Sequence, residues 1–149
     1  MKRIHIIAIL PGILFQFLAA QTPKLDTQEF PLKELKKQNT QIAALAAKEM
    51  SKTLPQKVDQ YTTVTHIVND GSTLVYTFVV NTGKKSDAVV QKEDHSRMQK
   101  AITQGVCNTS KKFLLAGIDT LYIYKSAKTN KVLFRFKITQ DTCNNLVSR

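Results

Sequence analysis

The hydrophobic period of this chain switches between helical and strand-like along its length, and that succession limits the folds open to it. From Leu32 to about Thr53, Leu35, Ile42, Leu45, Ala46 and Met50 recur at the spacings that mark one apolar face of a helix. Ala43, Ala44, Ala46 and Ala47 are strong helix formers. Leu54, pushed out of the helical region by Pro55, ends the run. In YTTVTHIVNDGSTLVYTFVVNTG the period falls to two. Val64, His66 and Val68 alternate with Thr63, Thr65 and Ile67. Beyond NDGS, Leu74, Tyr76, Phe78 and Val80 alternate with Val75, Thr77 and Val79. Two β-branched runs around Asp70-Gly71 predict a hairpin.

The pattern then repeats. Asp87 is placed to cap a helix through AVVQKEDHSRMQKAITQGV, with Val90, Met98, Ile102 and Val106 on its apolar side. Asn108, Thr109 or Ser110 can cap a short helix, KKFLLA, which Gly117 ends. IDTLYIYKSA and KVLFRFKIT read as a second strand pair. In the latter, Val132, Phe134, Phe136 and Ile138 alternate with Leu133, Arg135, Lys137 and Thr139. The order α-ββ-α-α-ββ predicts an α+β fold: an antiparallel four-stranded sheet of two hairpins, with helices packed on one face.

Export is expected from the N-terminus. Lys2 and Arg3 precede an apolar run from Ile4 to Leu18, and Ala19 and Ala20 follow it, the layout of a cleavable signal peptide over residues 1–20. A membrane anchor is the rival, but the run falls short of the ~20 apolar residues a spanning helix needs, and Pro11 and Gly12 interrupt it. No stable membrane insertion is expected after cleavage. Residues 21–31 form a lead-in, 32–143 a single domain and 144–149 a C-terminal tail. Position 21 is Gln rather than Cys, so no lipid acceptor is expected there, and the protein is expected in the periplasm or outside the cell.

Cleavage lowers the formal net charge from +11 to about +9. That balance fits acidic partners, whether nucleic acid, anionic lipid headgroups or an acidic protein face, and equally fits lysines that simply keep a small exported domain soluble. The pairs Lys36-Lys37, Lys84-Lys85 and Lys111-Lys112 are scattered and lack interleaved aromatics, so no nucleic acid is expected. In an exported chain the two cysteines, Cys107 and Cys143, are most simply one disulfide. A thiol nucleophile would need a histidine at hand, and neither His66 nor His95 carries a local signature for it. The cysteines and histidines lack any short-spaced pair of metal ligands. Glu93 to Arg97, EDHSR, reads as a solvated helix face. Tyr76, Tyr122 and Tyr124 read as core-edge residues. Asn108 opens the sequon NTS, which matters only in a eukaryotic host. No phosphate loop, nucleophile elbow or carboxylate pair is present, so neither enzyme activity, cofactor nor metal is expected.

From Leu54-Pro55 through the first hairpin, VCNTSKKFLLAGIDTLYIY and VLFRFKITQDTC, the chain resembles the small β-type pilotins of bacterial type II secretion. In those proteins a first cysteine ends a helix, a C-N/T…L-x-x-G stretch leads into an aromatic strand, and a second cysteine closes the last strand. Here Cys107, Asn108, Gly117, Tyr122 and Cys143 stand at those places, with Leu115 one residue beyond the leucine position, and the resemblance spans Leu54 to Cys143. It implies a protein that binds a short helical segment of a secretin subunit and brings it to the outer membrane. The family's lipid-bearing cysteine has no counterpart here. The expected role is therefore a non-enzymatic protein-binding module, an accessory or chaperone-like component of a secretion or conjugation system. The alternatives are an inhibitor or immunity protein against an exported toxin, or a secreted effector. Val75, Val79 and Leu133 lie on the strand faces opposite the expected core, with Arg135 and Lys137 beside them. These five are candidates for a strip that binds an acidic, extended or helical segment.

Overall fold

A computed structural model of the chain describes residues 31–147. The expected signal peptide, the lead-in up to residue 30 and the last two residues of the tail lie outside the described residues. The elements run α1 (Leu32–Ser51), β1 (Gln56–Lys57), β2 (Thr62–Asp70), β3 (Thr73–Val80), α2 (Asp87–Thr109), α3 (Lys111–Leu115), β4 (Asp119–Ser126), β5 (Val132–Ile138) and α4 (Gln140–Val147).

The sheet corrects the four-stranded antiparallel expectation. It has five strands in the order β1-β2-β3-β4-β5. β3 and β4 run parallel, in register from Thr73–Asp119 to Val80–Ser126. The remaining pairs are antiparallel. Both hairpins exist; what differs is how they join. After β3 the chain returns along α2 before β4 begins, and a crossover of that kind makes the two strands parallel. The added strand, β1, makes two pairings with β2, too few to leave a period in the sequence.

All four helices lie on one face. There Ala43 and Ala47 of α1, Val90 and Val106 of α2, Leu114 and Ile118 meet Val64, Ile67, Leu74, Phe78, Tyr124, Phe134, Phe136 and Ile138 of the strands. An aromatic ladder runs across the middle of this layer. Tyr76 stacks on Tyr122 at 4.9 Å, Tyr122 on Phe78 at 5.7 Å, and Phe78 on Tyr124 at 4.7 Å. Tyr124 then meets Phe134 and Phe136 edge-on. The parallel register places Tyr76 beside Tyr122 and Phe78 beside Tyr124, and each such pair adds ~0.5–1.5 kcal/mol beyond its buried area.

Two bulges break the alternation read from the sequence. In β2, Val64 pairs with Phe78 and His66 with Thr77, leaving Thr65 as an extra residue. Val64 and Ile67 therefore both point inward, while His66, expected on the apolar side, is exposed. In β5, Phe134 pairs with Tyr124 and Val132 with Lys125, leaving Leu133 extra. Leu133 joins the core at 5 % exposure. One inserted residue is enough to move a side chain to the other face of a strand.

Helix α1 also buries a different stripe from the one its leucines mark. Ala43, at 0 % exposure, and Ala47 face the sheet, whereas Leu35, Ile42 and Leu45 are exposed at 40 %, 44 % and 63 %. Alanine brings the helix axis close to the strands; bulkier side chains would hold it off. The buried Asn39 donates from Nδ2 to the Ala116 carbonyl at 2.5 Å, tying α1 to the turn before β4. In that turn Gly117 adopts φ +82°, and a Cβ there would meet Asn39 Nδ2 at 3.2 Å. The cap of α2 is Ser86, whose hydroxyl accepts from the Val89 amide. Asp87, expected as the cap, accepts from Thr129 Oγ1 at 2.5 Å instead. Hydrogen bonds from Thr129 and then Ser126 hold its carboxyl below the usual carboxylate range.

Candidate functional site

With the helices on one face, the opposite face of the sheet is left without a helix among the described residues. Its side chains follow from the register. Across β2, β3 and β4, Val68 pairs with Val75 and Val75 with Leu121; one row on, His66 pairs with Thr77 and Thr77 with Ile123. Val79 lies beside Lys125, and on β5 Arg135 and Lys137 stand opposite Ile123 and Leu121. The result is an apolar centre with a cationic border on the β4–β5 side. Arg135 and Lys137 are exposed, and Lys137 Nζ is 3.2 Å from Asp119 Oδ2.

Of the five residues proposed from sequence for a binding strip, Val75, Val79, Arg135 and Lys137 share this face. Leu133 does not, because the β5 bulge turns it into the core. Val75 is 9 % exposed, packed between its register neighbours Val68 and Leu121, so it contributes a floor rather than an anchor. Sequence reasoning missed Val68, Leu121, Ile123 and Lys125. Their signal was present in the alternation of Leu121 and Ile123 with Tyr122 and Tyr124. A strand apolar on both faces does not reveal which face is covered.

The helix layer carries a second concavity. Ser51 of α1 donates to the Ile67 carbonyl of β2, Met50 Sδ accepts from Tyr76 Oη of β3, and Asn39 reaches the turn before β4. At 100° per residue these contacts fix the roll of α1, and they place Leu35, Ile42 and Leu45 on its side away from β2, toward α2. A cleft of about 640 Å3 lies between α2 and the ends of β3 and β5, lined by Tyr61, Val80, Val90, Arg97, Met98 and Phe134 among others.

Cys107 and Cys143 form the disulfide, with Cα atoms 5.5 Å apart. His66 is exposed on the helix-free face, whereas His95 packs on Phe134 and Phe136, with ring centroids at 6.0 and 5.4 Å. The sheet separates the two imidazoles, so they do not converge on one group. Burial pushes the tyrosines of the ladder up: Tyr76 is raised, Tyr122 is raised further with help from its tyrosine neighbours, and Tyr124 goes up to about 12. No cluster of three potential metal ligands occurs among the described residues, and none of their helices is long and apolar enough to cross a membrane.

Fold and surface together define a two-layer α+β domain stapled by one disulfide, with helices on one face of a mixed sheet. The chain belongs to the family described as a domain of unknown function (DUF8479), whose profile matches residues 37–134. Solved structures share the fold. A Pseudomonas aeruginosa protein described as secreted superposes with a TM-score of 0.65 at 15% identity, over 73% of this chain and 96% of that one. The pilotin EpsS of the Vibrio vulnificus type 2 secretion system gives 0.63 at 17% identity, over 74% and 96%. The Vibrio cholerae type II pilotin AspS gives 0.55 at 17%, over 75% and 98%. The resemblance to type II pilotins read from the sequence is thus present at the level of the fold. No curated protein matches the sequence.

Proposed function

We propose that the protein is an exported, non-enzymatic binding module of pilotin-like type, an accessory of a secretion machine that holds a segment of another protein. The observation that carries this reading is the helix-free sheet face. Val79, Leu121 and Ile123 offer apolar contact, and Lys125, Arg135 and Lys137 select a partner segment with acidic residues. Complementary charge of this kind sets partner choice and encounter rate. The pilotin fold of EpsS and AspS supports the secretion context. In this reading residues 1–20 are removed on export and the folded domain acts in the periplasm or beyond it; intact-mass measurement of the exported protein checks the cleavage after Ala20.

The binding claim is tested by calorimetric titration with the C-terminal segment of a secretin encoded in the same genome. The wild-type protein is expected to bind, and Arg135→Glu to weaken binding at least about tenfold, ~1.4 kcal/mol, with the fold intact by circular dichroism. Absence of binding by the wild type rejects the pilotin-like role. Undiminished binding by Arg135→Glu rejects the sheet face as its surface. The exposed apolar flank of α1, with Leu35, Ile42 and Leu45, favours one other location, that flank itself. There Ile42→Asp would weaken binding while Arg135→Glu would not.

A further inference from the structure

The disulfide brings together two copies of one short pattern. Gln104 to Asn108 reads QGVCN and Gln140 to Asn144 reads QDTCN, so each cysteine has a glutamine three residues before it and an asparagine directly after. On a helix, positions i, i+3 and i+4 share a face. Joining Cys107 of α2 to Cys143 of α4 therefore sets the two amide-bearing faces beside one another. Gln104, Asn108, Gln140 and Asn144, with both cysteines, line a single open cavity of about 540 Å3, completed by Lys111, Leu114 and Leu146. That volume is within the range of small-ligand sites.

We propose that this cavity is a second binding site, for a short extended peptide that carries one carboxylate and an apolar side chain. A carboxamide donates and accepts at once, as a peptide unit does, so four carboxamides around one cavity match consecutive backbone amides. Gln140 Nε2 donates to Asn144 Oδ1 at 3.0 Å, and the side chains of Gln104 and Asn108 make no hydrogen bond within the described residues. Their capacity is open to a ligand. Lys111 is the one charged residue of the lining and has no ion-pair partner among the described residues, so it calls for a single negative charge. Leu114, Leu146 and the disulfide form the apolar part. The lining has no aromatic ring, and a sugar ring or a nucleobase would find no platform to stack on. The site shares no residue with the helix-free sheet face and does not rest on the pilotin-like reading.

The carboxylate can belong to a chain terminus or to an acidic side chain, and the experiment separates the two. The intact, oxidised protein, labelled with 15N, is titrated with N-acetyl-Ala-Ala-Leu as free acid, with N-acetyl-Ala-Asp-Leu-Ala amide, and with the uncharged N-acetyl-Ala-Ala-Leu amide. At least one acid peptide is expected to shift the side-chain amide signals of Gln104, Asn108, Gln140 and Asn144, with affinity at least about fivefold above that of the uncharged peptide. The stronger of the two identifies the source of the carboxylate. Lys111→Gln, which keeps length and polarity, is expected to remove that advantage, and Gln104→Ala to weaken all three peptides, with thermal unfolding unchanged in both. The proposal is overturned if neither acid peptide shifts these signals at millimolar concentration, if Lys111→Gln binds them undiminished, or if chitotriose shifts the same signals while the peptides do not.

Discussion

Single residues decide where this fold is tied and where it is left loose. Asn39 is polar on a buried helix face and was not read from the apolar pattern, yet its hydrogen bond to Ala116 joins the first helix to the turn that launches β4. Gly117 answers to the same contact: its positive φ favours glycine, and its missing side chain leaves room for the Asn39 amide. Thr120 is the opposite case. Buried beside Leu74 in the parallel register, it is the one fully buried side-chain oxygen among the described residues without a hydrogen-bond partner. An unmet buried hydroxyl carries a desolvation cost. Replacing it by the similarly shaped valine is expected to leave the fold unchanged and raise stability by ~1 kcal/mol, read as a higher urea midpoint with an unchanged m value. A drop of that size would mean the hydroxyl is satisfied after all.

At the scale of elements, α4 depends on the disulfide. It is eight residues long, shorter than a helix that persists alone in water, and it meets the rest of the molecule chiefly through α2 and α3. The bridge closes a loop of 36 residues, for which the chain-entropy model gives about 3–4 kcal/mol. The Cys107→Ala, Cys143→Ala double variant is expected to unfold ~10 °C lower by calorimetry, with the α4 amides exchanging fastest in the native state. If α4 stays protected, packing rather than the bridge holds it. The elements also show what periodicity can and cannot convey. The helix and hairpin positions were readable because each stretch keeps one period for long enough. The buried stripe of α1 was not, because the sequence marks large apolar side chains, whereas close packing selected Ala43 and Ala47. The faces of β2 and β5 were misassigned at His66 and Leu133 because a bulge changes phase without changing composition.

For the whole molecule, the tyrosines of the ladder link stability to pH. Their folded values lie above the unfolded value of about 10 because burial disfavours the phenolate. The unfolded chain therefore gives up these protons first as pH rises. The stability they contribute is full below about pH 10 and is lost as pH climbs through the folded values, Tyr124 at about 12. The melting temperature is expected to fall steeply above pH 10, and Tyr124→Phe to flatten that fall. An unchanged slope in this variant would show that other groups govern alkaline unfolding.

The sequence by itself determined the local geometry: the periods of helices and strands, the Asp70-Gly71 turn, the pairing of the cysteines and a resemblance to pilotins that the fold bears out. These rest on short-range sterics and on a pattern repeated within each element. The tertiary structure decided the parallel joining of the two hairpins, the bulges that sort side chains between faces, and the alanine stripe of α1. It also decided the meeting of two separate amide clusters across one disulfide. Each depends on contacts between residues distant along the chain, where burial, not local pattern, chooses the outcome.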